Sequence, residues 1–101
     1  MEWQKALKIS DLKDGQMEVL SLGGKPVVLA QVGQSYFAFD DECTHRQCSL
    51  GGGFLEGTAL ECPCHGARFD ISNGGVLALP ATVPIRTYAT KVEEGTVFVE
   101  I

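Results

Sequence analysis

The chain has no hydrophobic run approaching the roughly 18 apolar residues of a membrane-spanning helix, so no membrane anchor is expected. Positive charge is also short: 8 Lys and Arg stand against 13 Asp and Glu, a net charge of −5. Without a basic stripe to neutralise phosphates, nucleic acid is not an expected partner. The acidic surface suits a protein partner with a basic docking patch, and serves plain solubility equally well. No repeat, linker or low-complexity stretch interrupts the 101 residues, which are expected to form one domain, 1–101. The opening Met1-Glu2-Trp3-Gln4-Lys5 lacks the apolar core of a signal peptide, which makes the cytoplasm the expected location.

Histidine is scarce, with two in the chain, and cysteine occurs four times. All six lie between Cys43 and His65, in two short stretches. The first is Cys43-Thr44-His45 with Cys48 close behind; the second is Cys62-Pro63-Cys64-His65-Gly66. Residues spread for packing would not gather in this way. The pattern C-x-H, sixteen residues, C-x-x-H offers two thiolates and two imidazoles. That donor set suits an iron–sulfur or zinc site and suits magnesium or calcium badly. Zinc sites usually group like ligands as C-x2–4-C and H-x3–5-H, whereas each stretch here mixes one Cys with one His. A Cys–His pair for nucleophilic thiol catalysis would leave the pairing of the two stretches unexplained.

The same residues resemble the cluster loops of Rieske proteins, in which a [2Fe–2S] cluster is held by two Cys on one iron and two His on the other. The resemblance is close from Cys43 to Ile101 and generic before that. It implies one cluster as cofactor, with Cys43 and Cys62 as ligands of the inner iron and His45 and His65 as ligands of the outer, solvent-facing iron. Arg46 and Gln47 would line the exit face. The cluster-binding part, about 41–82, would be inserted in a β base. Gly51-Gly52-Gly53 would let backbone N–H groups approach the cluster and thiolate sulfurs. Pro80-Ala81-Thr82-Val83-Pro84 resembles the stiff loop that covers the cluster, a simple rigid connector being the plainer alternative.

Two departures accompany the resemblance. Cys48 and Cys64 fall where respiratory Rieske proteins carry a disulfide joining the two loops, a pair that most ferredoxins of ring-hydroxylating oxygenases lack. The pair is expected to be bonded, two buried thiols being the alternative. Ala67 and Phe69 stand where high-potential members have Ser and Tyr, whose hydroxyls donate to a bridging sulfide and a ligand thiolate. Neither residue can donate, which puts the expected potential nearer roughly −150 mV than +300 mV.

The resemblance thus implies a soluble Rieske ferredoxin that turns nothing over itself. It would pass single electrons from a ferredoxin reductase to a terminal, aromatic-ring-hydroxylating oxygenase, its two expected protein partners. A high-potential carrier related to quinol-oxidising complexes is favoured by the Cys48/Cys64 pair and disfavoured by Ala67 and Phe69. The small Rieske-like subunit of a nitrite reductase is a third reading, but such subunits often lack the ligands.

Around the motif, twelve glycines and short apolar runs spaced by turns point to an all-β fold. The expectation is a Rieske-like sandwich of short antiparallel strands with a two-loop cluster-binding subdomain. Strands are expected over Trp3 to Ile9, Gln16 to Leu22, Val27 to Val32, Tyr36 to Phe39 and Arg68 to Asp70. Ser10 to Gly15, Gly23 to Pro26, Phe54 to Thr58 and Asn73 to Gly75 read as turns. Ile85 to Val92 and Val97 to Ile101 are expected to close the chain as one hairpin. Trp3 and the aromatics of Tyr36 to Phe39 are expected in the core, and Asp40-Asp41-Glu42 as a solvated turn.

Overall fold

The computed structural model describes residues 2–43, 48–64, 66–79 and 82–101. The strands are β1 (Trp3–Lys8), β2 (Met17–Leu22), β3 (Lys25–Val32), β4 (Ser35–Asp40), β5 (Phe54–Glu56), β6 (Ala59–Glu61), β7 (Arg68–Asp70), β8 (Val76–Ala78), β9 (Thr87–Tyr88), β10 (Thr90–Glu93) and β11 (Thr96–Glu100). They form three antiparallel sheets, ordered β1-β11-β10, β2-β3-β4-β9 and β5-β6-β7-β8. The all-β class is the one expected.

The strand β3 explains how the sheets stack. Its run Val27-Val28-Leu29-Ala30 is wholly buried, without the polar alternation of a strand that faces water on one side. Side chains alternate across a strand, so one run feeds two cores. Val28 and Ala30 pack in a cluster with Phe39, Leu60, Phe69 and Ile71. Val27 and Leu29 pack in a second with Leu7, Val97 and Val99. The β2-β3-β4-β9 sheet is therefore the middle layer. The sheet β5-β6-β7-β8 lies against one of its faces and β1-β11-β10 against the other. The hairpin between β2 and β3 needs Gly23 and Gly24, whose φ values of 60° and 81° disfavour any residue with a Cβ.

Three expectations need correction, and one strand was not foreseen. Trp3 is 38% exposed and takes no place in either core, although it shares the odd positions of β1 with buried Leu7. The register of β1 on β11 shifts between Lys5 and Leu7, and this bulge turns the following side chains to the other face. Exposed Trp3 is instead covered by Lys91, whose Nζ lies 4.5 Å from the ring centroid. The stretch Ile85 to Val92 is not one strand: β9 pairs with β4 and β10 pairs with β11, so the chain changes sheets at Ala89. Phe54–Glu56 is a strand rather than part of a turn, and Val76–Ala78 adds an unforeseen strand at the sheet edge.

The chain leaves the middle sheet after Asp40 and rejoins it at Thr87, next to β4. One polar cluster fastens exit and re-entry. The Tyr88 hydroxyl donates to Asp40 Oδ1 at 2.5 Å, and the Asp40 N–H donates to the Arg86 carbonyl at 3.0 Å. Lys25 Nζ lies 3.6 Å from Asp40 Oδ1 and 4.8 Å from the Tyr88 ring centroid. Burial, with the bond to Asp40, pushes the Tyr88 phenol above its ordinary pKa. Tyr88→Phe deletes the donor and keeps the ring. It is expected to lower the unfolding free energy by about 1.5 kcal/mol, read as a lower urea midpoint at unchanged slope. An unchanged midpoint would remove this bond from the account.

Candidate metal centre

The two cysteine-bearing stretches are loops hung on two different sheets. The first follows β4 and the second joins β6 to β7. Each is closed at its base by the same kind of bond. The Cys43 N–H donates to the Cys48 carbonyl at 2.9 Å, and the Cys62 N–H donates to the Ala67 carbonyl at 2.7 Å. In both, the first cysteine of the loop reaches the carbonyl five residues on. The Gly66 N–H adds a bond to the Cys62 carbonyl at 3.2 Å.

Asp41 secures the exit of the first loop. Its Oδ1 accepts from the Ser49 hydroxyl at 2.8 Å and from the Gly51 N–H at 2.9 Å, while its carbonyl accepts from the Leu50 N–H at 2.6 Å. The sequence reading of Asp40-Asp41-Glu42 as a solvated turn missed this role and that of Asp40. Ser49 and Gly51 lie eight and ten residues on, so no local signal in the sequence marked this carboxylate staple. The same bonds correct the reading of Gly51-Gly52-Gly53. Gly51 donates to Asp41, Gly52 to the Ser49 carbonyl at 3.3 Å, and Gly53 to the Leu50 carbonyl at 3.0 Å. These N–H groups are spent inside the loop. A Cβ at Gly53 would collide with the Glu61 carbonyl and one at Gly51 with Val19, so glycine here serves close packing.

Cys43 is 2% exposed and Cys62 1%, and both lie outside the disulfide. They share one apolar cluster with Val28, Phe39, Leu50, Leu60, Ala67 and Phe69. Buried polar side chains are absent from the described core. Two thiols held in an apolar wall, beside loops that also carry the two histidines, fit a soft metal centre and not a hard-cation site. Ala67 and Phe69 are fully buried there and bring no donor. His45 and His65 lie outside the described residues, as do Arg46, Gln47, Pro80 and Ala81, so the expectations for these residues and for the covering loop fall there.

A disulfide links Cys48 to Cys64, with Cα atoms 6.6 Å apart, and joins the two loops as expected. Cys48 is half-buried and Cys64 exposed. The buried Cys62 Sγ lies within 4.8 Å of both bonded sulfurs.

Comparison with known proteins identifies this arrangement. The Rieske [2Fe–2S] domain matches residues 2–89. This chain belongs to the Rieske [2Fe–2S] family. The Rieske chain is 35% identical over 101 residues to the ferredoxin component of the naphthalene 1,2-dioxygenase system of Pseudomonas putida, covering 100% of this chain and 97% of that one. It is 37% identical over 101 residues to the ferredoxin component of biphenyl 2,3-dioxygenase of Rhodococcus jostii, covering 100% and 94%. Among solved structures it is similar to a chain in the complex of reduced oxygenase and oxidized ferredoxin of carbazole 1,9a-dioxygenase. That match has a TM-score of 0.91 and 36% identity, and covers 96% of this chain and 91% of the other. The cofactor of the Rieske chain is accordingly a [2Fe–2S] cluster, in accord with the donor chemistry of its loops. No helix among the described residues is long and apolar enough to cross a membrane.

The disulfide spans 16 residues of sequence, for which the chain-entropy estimate gives about 3 kcal/mol of stabilisation. The double variant Cys48→Ser/Cys64→Ser is expected to lose about that much in denaturant unfolding. An unchanged unfolding midpoint would mean that the backbone closures hold the loops without it.

Proposed function

We propose that this protein is a ferredoxin that carries single electrons from a reductase to a terminal oxygenase of the ring-hydroxylating type. Its full-length similarity to ferredoxin components of aromatic dioxygenase systems is the observation that carries the reading. The protein is the electron-transfer component and leaves substrate chemistry to the oxygenase. The whole chain, 1–101, acts as one domain, with residues about 41–82 as its cluster-binding part. Its place of work is the cytoplasm, where soluble reductase and oxygenase partners would meet it.

The cluster supplies one-electron chemistry whose potential follows its charge, its burial and the hydrogen bonds to its sulfurs. Cys43 and Cys62 would hold it as thiolates from the apolar side, and His45 and His65 would complete the donor set as neutral imidazoles. The core around the two cysteines excludes water from that side. Ala67 and Phe69 withhold the hydroxyl bonds that would favour the reduced, more negative state, which supports a low potential. The disulfide favours kinship with high-potential, quinol-linked carriers; the two missing hydroxyls weigh against it.

Cys43→Ser and Cys62→Ser are each expected to abolish iron and sulfide binding, measured by chemical analysis of the purified chain. The unaltered protein should take up one electron per chain in coulometry. Binding of a single zinc ion, or no electron uptake, contradicts the proposal. Restoring the donors with Ala67→Ser/Phe69→Tyr is expected to raise the midpoint potential by about 90 mV, taking two bonds of about 1 kcal/mol each. No rise would separate the potential from these positions.

A further inference from the structure

Cys62 lies beside the disulfide, and the following inference rests on the reading above that it is a cluster ligand. Its Sγ and the two sulfurs of the Cys48–Cys64 bond all lie within 4.8 Å of one another, against about 2 Å for a formed S–S bond. A thiol outside a disulfide, held this close to it, is a thiol–disulfide exchange system. We propose that, in the cluster-free protein, Cys62 is a nucleophile toward the Cys48–Cys64 disulfide, and that cluster binding and the exchanged Cys48–Cys62 bond exclude one another.

The step balances without an outside oxidant or reductant. The Cys62 thiol gives its proton to solvent, and the thiolate attacks Cys48 Sγ. The Cys62–Cys48 bond forms as the Cys48–Cys64 bond breaks, and Cys64 leaves with the electron pair and takes up a proton. The direction of attack follows from the surroundings. Cys64 is exposed, so water stabilises it as leaving thiolate, whereas Cys48 is half-buried. Bonding Cys62 to Cys48 also keeps the two loops joined. Attack on Cys64 would instead close the tight Cys62-Pro63-Cys64 ring and untie the loops. The fixed proximity of the three sulfurs favours attack from within the protein.

Two consequences follow. The exchanged isomer has no thiol at residue 62 and cannot complete the Cys/His donor set. A bound cluster occupies Cys62 and removes the nucleophile, which locks the disulfide in its 48–64 register. The cluster-free chain therefore has an inactive form that it reaches alone, marked by a thiol at Cys64 in place of the one at Cys62.

The test is differential alkylation with peptide mass mapping of the full chain, cluster-loaded and cluster-free, after incubation in native buffer. In the cluster-free chain, label is expected to be lost from Cys62 and gained at Cys64, with Cys43 labelled throughout. The loaded chain is expected to show no shift, and cluster-free Cys62→Ser to keep its 48–64 bond. Label that stays at Cys62 in the cluster-free chain overturns the proposal. Disulfides that include Cys43 in comparable amount overturn it too, because they report scrambling of an unfolded chain. Failure of the unaltered chain to take up iron and sulfide at all would instead sink the ligand assignment, and the thiol map would still read the exchange on its own.

Discussion

On the proposed reading, two buried thiols must present themselves to one site from loops that neither strand pairing nor sequence proximity brings together. The fold meets this constraint in three ways. Each loop is closed at its base by a bond from the cysteine N–H to the carbonyl five residues on, so the thiol-bearing residue sits at a fixed corner. The outer sheet β5-β6-β7-β8 carries the second loop and packs against the middle sheet through one apolar cluster that contains both cysteines. The disulfide then ties the loops directly. Backbone closure sets each loop, core packing sets their distance, and the covalent link limits their parting.

The apolar setting also bears on redox chemistry. A site walled by Phe39, Leu50, Leu60, Ala67 and Phe69 gives added negative charge little compensation on that side. Low local dielectric and missing hydroxyl donors act in the same direction, toward a lower potential. The spread of Rieske potentials, roughly −150 to +300 mV, is about 10 kcal/mol for one electron. Two hydrogen bonds cover only part of that, so burial and net charge carry the rest. The disulfide and the potential are then separate features: the first belongs to loop mechanics, the second to the surroundings of the sulfurs.

The sequence made the family and the disulfide more legible than the path of the strands. Six Cys and His residues gathered in two stretches point to chemistry rather than packing, and the 48–64 bond was accessible through resemblance. The strands around Val27 to Val32 and Arg68 to Asp70 were legible because apolar runs bounded by turn residues have few other uses. What escaped depends on partners distant in the chain. The bulge in β1 that expels Trp3 is a matter of register against β11. The break at Ala89 exists because two sheets compete for one extended segment. Asp41 looked solvated because its acceptors' partners, Ser49 and Gly51, lie beyond the first loop. Local pattern reports the period of a strand and says little about which sheet will claim it.

The most direct measurement is the midpoint potential of the cluster-loaded protein, by protein-film voltammetry across pH. The account predicts a value near roughly −150 mV, flat until the alkaline range where ligated imidazoles lose their remaining proton. A value above about +100 mV would contradict it and move the protein to the quinol-linked side of the family.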